Sequence, residues 1–528
     1  MRADIDQQEN SCLISVLIFN ILKTTIMKIK YFLLISLMLG FGCTESSVDF
    51  APINQITTQE ILSSSLLGEV TQGNYSFFKN FSDWRNYMNN RNFAKELMSD
   101  DIIMMRWSGN NFSYTLSYNP QAESFINLFM WQMSYRAISS VNVILSELEK
   151  VAELTEAEKQ LAGENHFIRA MFMFDLATVF ARPYSHDDPT TNLCVPIVTD
   201  PAKSEDLPRN TVKEVYDFLE QDFLEAADLM NERKPNIYAS KEVAYAALAR
   251  LYIYEEKNEK AIEYADLVIN SGRYALVGSD KFPNSNELGP EVNPETIFAI
   301  KLASSENQGS DALGTMYHGD GGWGEILLST SYLNLLNKNR NDLRWNFVTP
   351  DFKLDAQGNK IPDPNEPYFG YAMNDRMGIP SYWCKKLTYE YGEAMLYSPR
   401  YFRLAEMYLI KAEAYAKTNQ VQKALDNVNI IRERAGLSGD QLFRLDNMQG
   451  YQSAMDIVLD EKRMEFVLEN CRSFDVFRNK RTMDRSYLAY QGWSGPSIIP
   501  YTSNRIVHQV PQAEITQNPK LLQNPGWN

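Results

Sequence analysis

Aromatic and amide side chains stand close together in an early stretch that lacks helical or strand periodicity. They are Trp107, Asn110, Asn111 and Tyr114, within the Asp-, Asn- and Ser-rich residues 99–120. A flat aromatic face can cover the apolar face of a sugar ring, and neighbouring amides can orient its hydroxyl groups by hydrogen bonds. Because loops on a rigid scaffold carry most binding functions, we predict that this stretch contributes to a ligand site.

A second aromatic group lies in the glycine-rich sequence YHGDGGW, which contains Tyr317 and Trp323. This sequence has no helical stripe that would bury its rings, so we predict that they face a ligand and that the two stretches converge on one surface. The alternative is that some of these rings only cap the edge of the core. The predicted ligand-binding residues are Trp107, Asn110, Tyr317 and Trp323.

Catalytic motifs are absent from the chain. It contains no H-E-x-x-H, G-x-S-x-G or Walker A pattern. Carboxylates are abundant, and a glycosidase needs only two acids correctly spaced in a cleft, so a secreted glycan-active enzyme stays an alternative. We predict a protein without catalytic activity, cofactor or bound metal. The four histidines are far apart in sequence: His166, His186, His318 and His508.

Metal-binding and disulfide patterns are equally weak. The sequence DAQGN at 355–359 resembles a calcium loop, but placing Gly358 at the sixth position puts Lys353 first and Pro364 last, where ligating acids belong. We therefore predict a turn between two short strands. Beyond residue 43 the cysteines are too scattered for a zinc site, and we interpret them as buried free thiols.

The N-terminal residues have the pattern of a targeting segment. From Met27 the chain has two lysines, then an apolar run, then a small residue and Cys43. This order resembles a bacterial lipoprotein signal, in which Cys43 is lipidated and becomes the mature N-terminus, although Leu39 lies one place earlier than that signal requires. We predict a signal peptide over 1–42, with Met27 as the true start, followed by a lipid tether over 43–70.

Residues 401–434 show the clearest helical pattern in the chain. A polar interruption at 417–420 separates two apolar stripes, which predicts two helices folded back on one another. The first stripe is Tyr401, Ala405, Tyr408, Ala412 and Tyr415, and the second is Val421, Ala424, Leu425, Val428 and Ile431.

The same residue types recur 163 positions earlier, in residues 241–270. Their spacing resembles the tetratricopeptide repeat, in which small residues let two helices pack closely. Because 163 is not a multiple of that repeat's length of about 34 residues, other structure must separate the two copies. A plain antiparallel bundle is the alternative. The matching residues are Tyr245, Ala249, Tyr252, Lys260 and Ala261 against Tyr408, Ala412, Tyr415, Lys423 and Ala424.

Length and charge limit the possible organisation and partners. A chain of 528 residues is too long to fold around one compact core, so we predict two or more packed lobes. A net charge of -16 argues against a nucleic-acid partner, which requires a positive surface.

The predicted segments are a signal peptide (1–42), a tether (43–70), helix hairpins (71–273), a loop-rich insert with short strands (274–398) and a C-terminal part (399–528). Within them we predict a helix at 75–97, a loop at 99–120 and a helix capped by Asn210 and Thr211.

Several short motifs follow one another in an order that carries a family resemblance. They are 163–170 (GENHFIRA), 195–196 (VP), 271–274 (SGRY), 460–466 (DEKRMEF), 472–478 (RSFDVFR), 511–515 (PQAEI) and 523–526 (QNPG). In this order, from Cys43 to the last residue, they resemble the SusD/RagB family of outer-membrane lipoproteins of Bacteroidetes.

The resemblance implies a mostly α fold in which tetratricopeptide-like helix pairs form a scaffold and a loop-rich lobe with short strands carries the ligand loops. It also implies a lipid-anchored protein at the outer membrane surface that binds an oligosaccharide or a peptide as a nutrient. Such a protein would pass its ligand to a TonB-dependent, SusC-like transporter. A repeat scaffold for protein partners remains a third class. The late charges Glu461, Arg463, Glu465, Arg472 and Asp475 would form a structural network.

Overall fold

Helices dominate the architecture, and most of them fall in two blocks of the chain. The computed structural model describes residues 64–79, 85–104, 111–200, 207–488 and 495–527. The first block holds α1 (Ser64–Ser76), α2 (Tyr87–Glu96), α3 (Asn111–Leu116), α4 (Phe125–Leu148), α5 (Glu156–Phe180), α6 (Val212–Leu229), α7 (Lys241–Tyr254) and α8 (Asn258–Ile269). After α9 (Thr330–Leu336), the second block holds α10 (Leu404–Lys417), α11 (Val421–Arg434), α12 (Ala454–Glu465), α13 (Arg472–Arg478) and α14 (Gln512–Gln517).

The strands are short and form two-stranded antiparallel pairs. The pairs are β1 (Ile102–Met104) with β3 (Ile326–Leu328), β2 (Thr296–Ala299) with β8 (Arg400–Arg403), β4 (Val348–Pro350) with β7 (Tyr382–Cys384), β5 (Asp375–Arg376) with β6 (Ile379–Pro380), and β9 (Met483–Asp484) with β10 (Ile498–Ile499). In register, Ile102 lies opposite Leu328 and Thr296 opposite Arg403. These pairings tie the loop-rich residues 274–398 to both helical blocks. The mostly α fold is confirmed.

Local sequence signals account for the starts of the long helices. Thr155 and Thr211 each begin a helix with a reciprocal pair of hydrogen bonds: the threonine Oγ1 accepts from the amide of the glutamate three residues later, and that glutamate's carboxylate accepts from the threonine amide. Such capping boxes satisfy amides that have no partner inside the helix. The predicted cap at Asn210 and Thr211 is confirmed, and Thr211 is the residue whose hydroxyl caps the helix.

The two predicted repeat hairpins are α7–α8 and α10–α11. Their small residues Ala249, Ala261, Ala412 and Ala424 are fully buried, which lets the helix axes approach closely. The hairpins also contact each other, because Lys411 of α10 pairs with Asp266 of α8 at 2.6 Å. The interpretation of this spacing as paired helices is confirmed.

The first residue of the predicted stripe, Tyr401, lies in β8, and α10 begins only at Leu404. The ring of Tyr401 packs edge-on against Phe78 at 5.3 Å and lies 5.9 Å from Phe298 of β2. The step of four residues from Tyr401 to Ala405 therefore matched a helical stripe by coincidence. The sequence pattern could not reveal a strand here, because β2, the strand that pairs with β8, is more than a hundred residues away.

Three further expectations are corrected in the early part of the chain. The predicted helix 75–97 is divided, because α1 ends at Ser76 and α2 starts at Tyr87. The predicted loop 99–120 contains β1 and α3, which are too short to show periodicity. The predicted tether 43–70 is helical from Ser64, and Leu67 is buried against the core. The predicted signal peptide and Cys43 lie outside the described residues.

The described residues between 64 and 527 belong to one compact unit. Its main apolar cluster takes residues from the first helical block, from 274–398 and from the second helical block. The predicted lobes therefore share one core. Within this core, side chains of the loop-rich insert pack together with side chains of both helical blocks.

The late charged motif forms the buried network that the family resemblance implies. Glu461 lies between Arg344 (2.8 Å) and Arg432 (3.0 Å), whereas Glu465 accepts from Arg403 at 3.0 Å and pairs with Arg434 at 2.6 Å. Buried charges persist only when they are paired in this way. Arg463 and Arg472 hold Asp101 and Asp100, and Lys462 pairs with Asp475.

Candidate functional site

The glycine-rich loop 319–324 lies directly on the ring of Trp383 in β7. A Cβ atom on Gly319 would lie 2.1 Å from that ring, and Gly324 has a positive φ of 54°. Trp383 Nε1 donates to the carbonyl oxygen of Gly324 at 3.1 Å. Only glycine permits so close an approach of the backbone, so these glycines shape the loop. Their G-x-G-x-x-G spacing is not the nucleotide-binding turn, because β3 follows the loop where that motif has a helix.

Trp323 stands at the edge of this loop with 53% of its surface exposed. The Trp323 Nε1 donates to the carbonyl oxygen of Ser310 at 2.9 Å, and Arg376 Nη1 donates to the carbonyl oxygen of Trp323 at 2.9 Å. The indole is therefore held at its polar end while the ring is presented to solvent. This is the exposed position that the sequence predicted for Trp323.

A cavity of about 220 Å³ lies beside Trp323; we refer to it as the Trp323 cavity. Phe93 of α2 and Phe112 of α3 form its apolar wall, with their ring centroids 4.9 Å apart at a near-perpendicular angle. Polar groups at its margin come from Asn89 and from the segment that precedes Trp323. The full lining is Asn89, Phe93, Phe112, Ser310, Asp311, Ala312, Thr315, Met316, Trp323 and Glu325.

The cavity is lined by one residue from each of the two stretches for which the sequence predicted a shared surface, Phe112 and Trp323. Phe112 lies between Asn111 and Tyr114 of the first aromatic and amide group, and Trp323 belongs to the second. Trp107 and Asn110 lie outside the described residues, so their part in the site stays a prediction. Sequence reasoning missed Phe112 and Phe93. Phe112 lay next to Asn111 and could have been included, whereas nothing in the sequence marks Phe93 as a cavity residue.

Tyr317 does not face the cavity and corrects the prediction made for it. It is 1% exposed, and its hydroxyl donates to Asn92 Oδ1 at 2.5 Å. Burial raises the pKa of this phenol well above its ordinary value. The carbonyl oxygen of Tyr317 accepts from the backbone amide of Cys384, and this hydrogen bond anchors the loop to β7. Tyr317 therefore supports the loop, because irregular backbone can bury a ring without any stripe.

His318 also fastens the loop. Its Nδ1 accepts from the amide of Asp320 at 3.2 Å, and burial lowers the pKa of the imidazole, which keeps the ring neutral. The ring of Tyr389 packs edge-on against it at 5.4 Å, and the Tyr389 hydroxyl donates to Asp320 Oδ2 at 3.2 Å. The aspartate therefore joins the loop 319–324 to the neighbouring residues 389–395.

Metal-binding and membrane-spanning features were searched for in the described part of the chain. There, no cluster of three or more His, Cys, Asp or Glu is placed to hold a metal ion. No described helix is both long and apolar enough to cross a membrane. Asp355 Oδ1 accepts from the amides of Gln357 and Asn359, which confirms a turn at this sequence.

Comparison with protein families gives matches at both ends of the chain. Residues 48–253 match a family model described as "Starch-binding associating with outer membrane", and residues 365–527 match one described as "SusD family". SusD-like protein P38 of Formosa agariphila is 23% identical over 464 residues, which cover 83% of this chain and 87% of that protein.

Solved structures share the fold over nearly the whole chain. A SusD superfamily protein from Bacteroides thetaiotaomicron superposes with a TM-score of 0.73 at 24% identity, covering 88% of this chain and 100% of its own. A SusD-like carbohydrate binding protein from Bacteroides vulgatus superposes with a TM-score of 0.68 at 18% identity, covering 87% and 97%. With SusD models matched at both ends and this fold between them, the protein belongs to the SusD/RagB family.

Proposed function

We propose that this protein binds a neutral oligosaccharide in the Trp323 cavity at the cell surface and delivers it to a TonB-dependent, SusC-like transporter without catalysing a reaction. The observation that carries the proposal is an indole held by its Nε1 and backbone, with its ring free beside an apolar cavity. Aromatic walls with a few oriented polar groups are the usual lining of sugar sites. Membership in a family whose members bind nutrients supports it.

Replacing Trp323 by alanine is expected to weaken oligosaccharide binding tenfold or more. Stacking of a ring on an aromatic side chain contributes about 1–3 kcal/mol in nucleic-acid complexes, and about 1.4 kcal/mol corresponds to a factor of ten. The measurement is calorimetric titration of the domain lacking residues 1–42 with maltooligosaccharides, laminarioligosaccharides, xylooligosaccharides and a mixed peptide library. Trp107→Ala is measured in parallel, since the proposal includes Trp107 and Asn110 in this site.

The matched control is Tyr371→Ala, which removes another partly exposed aromatic ring from a different part of the loop-rich segment. Unchanged affinity for Trp323→Ala, or an equal loss for Tyr371→Ala, would contradict the proposed site. If the protein bound peptides and no oligosaccharide, the proposed ligand class would change from oligosaccharide to peptide. Shortened oligosaccharides in the incubated samples would show catalysis and refute a purely binding role.

For localisation we propose that Cys43 carries the lipid anchor. The Cys43→Ala variant is expected to lose acyl labelling and to leave the membrane fraction of the native host. A Cys194→Ala variant serves as control, because Cys194 is a buried free thiol. Retention of the Cys43 variant in the membrane would place the anchor elsewhere.

Mild-detergent extracts of the wild type are expected to contain a copurifying transporter, and isolation of the protein alone would count against the proposed delivery step.

A further inference from the structure

A second cavity, of about 300 Å³, opens beside α1; we refer to it as the α1 cavity. It lies between the C-terminal half of α1, the residues 237–238 and the residues that follow β2. The Trp323 cavity is lined by other residues, so the two are distinct. Residues important for its chemistry are Gln72, Gly73, Lys79, Tyr238, Ile300 and Lys301.

The lining of the α1 cavity suits a neutral polar ligand. Lys79 pairs with Glu306 at 2.8 Å, and Lys301 pairs with Glu291, so both cations at the cavity are already neutralised. The ring of Tyr238 is held edge-on against Tyr75, with ring centroids 5.5 Å apart. An aromatic ring, apolar walls and an exposed amide are the groups that hold sugar rings and orient their hydroxyls.

One segment of chain joins the two cavities. Residues 300–301 line the α1 cavity, and residues 310–312 line the Trp323 cavity. Even a fully extended chain between them would reach no more than about 35 Å, at about 3.5 Å per residue. Two 3₁₀ turns, Ser304–Glu306 and Gly309–Asp311, shorten the distance further.

The middle of this segment is pinned to the protein. Asn307 Nδ2 donates to the carbonyl oxygen of Ala394 at 2.9 Å, and Glu306 holds Lys79 of the α1 cavity. These contacts hold the segment between the two cavities, which lie no more than about 35 Å apart along it. An extended ligand that spans this distance would enter both cavities, whereas a short ligand would occupy one cavity.

We infer that the α1 cavity is a second subsite for the oligosaccharide of the proposed function, on which this inference rests, so that the protein favours chains of several sugar units over disaccharides. The Trp323 cavity binds one part of the chain and the α1 cavity a second part. Linking two weak sites through one ligand raises the total affinity, because the second contact is intramolecular.

The test fills the α1 cavity without disturbing the fold. At Gly73 an added Cβ would meet no described atom within 4 Å, and Gly73 lines the cavity, so a leucine there is chosen to occupy part of the cavity. Gly73 is also inside a helix, where leucine is the better helix former. Gly68→Leu is the matched control, because Gly68 lies in the same helix, has the same free space and does not line the cavity.

The probes are disaccharides and heptasaccharides of the maltose, laminaribiose and xylobiose series, titrated against both variants and the wild type. Gly73→Leu is expected to lose about tenfold in affinity for the heptasaccharide that the wild type binds, with unchanged disaccharide affinity. Gly68→Leu is expected to match the wild type for both. Equal heptasaccharide affinity in Gly73→Leu and wild type would overturn the second subsite and leave the proposed function intact. Absence of any saccharide binding by the wild type would overturn both.

Discussion

Replacing Glu413 by glutamine is expected to destabilise the protein by about 3–5 kcal/mol, the range measured when one partner of a buried ion pair is removed. Glu413 lies in α10 with no exposed surface, and both of its oxygens accept from Arg478. Lys462 and Lys417 lie 3.0 and 3.1 Å from the same carboxylate. Glutamine keeps the volume of the side chain but leaves three cations around a neutral group.

The pH dependence gives this prediction a second readout. Burial alone would raise the pKa of Glu413, but Arg478, Lys462 and Lys417 outweigh it and hold the pKa well below its ordinary value. A carboxyl with a lowered pKa stabilises the fold above its unfolded pKa, and this contribution is lost as the pH falls through the folded pKa. The difference between wild type and Glu413→Gln should therefore be largest near neutral pH and shrink in acid.

Urea unfolding followed by circular dichroism at several pH values measures both effects. The control is Asp426→Asn in the adjacent helix α11, where the carboxylate is exposed and accepts a hydrogen bond from Gln422. It should change stability by less than about 0.5 kcal/mol. A loss below about 1 kcal/mol for Glu413→Gln would show that the paired carboxylate contributes little beyond its volume.

The parts of the fold that the sequence predicted are those in which local pattern and final contacts agree. Ala412 and Ala424 stand at helical spacing and are buried where two helices meet. Thr211 caps its own helix three residues before the glutamate it needs. Each of these signals depends on residues only a few positions apart, so it can be read without knowing the rest of the structure.

Features that depend on distant partners were missed. The sequence of α2, YMNNRNFAKE, has the composition of an exposed helix, yet every one of its residues is buried. Arg91 and Lys95 reach Asp175 of α5, and Asn92 donates to the carbonyl oxygen of Leu468. Polar residues are buried when such partners exist, and those partners lie about 80 to 380 residues away. Hydropathy along the chain cannot detect them.

The candidate site shows the same division. The lack of a helical stripe around Trp323 predicted a ring exposed to a ligand; the ring is exposed, and its contact with a ligand stays a prediction. The same argument was wrong for Tyr317, six residues earlier, because Asn92 of α2 satisfies its hydroxyl inside the core. The burial of Tyr317 therefore depends on α2, a helix that precedes it by more than two hundred residues, whereas the indole of Trp323 donates to Ser310 of its own segment.

The side chain of Arg209 binds the C-terminal segment that contains the closing QNPG sequence. Its guanidinium donates to the carbonyl oxygens of Phe180, Leu193, Cys194 and Leu522 and to Asn524 Oδ1. Asn524 in turn donates to the carbonyl oxygens of Phe180 and His508. One buried cation thus joins the end of α5, the extended residues 193–194 and the C-terminal segment. Burial lowers the pKa of Arg209 to about 10, so it remains charged at neutral pH.

Arg209→Met is expected to destabilise the protein by about 3 kcal/mol or more, because it leaves several buried carbonyl groups without donors, each costing about 1–3 kcal/mol. The loss should be local as well as global. Hydrogen exchange measured by mass spectrometry is expected to accelerate first in peptides from residues 507–527. Arg233→Met, which changes an exposed arginine, should leave exchange there unchanged. Uniform acceleration across the chain would show that Arg209 supports the whole core, and unchanged exchange at 507–527 would refute its role in holding the C-terminal segment.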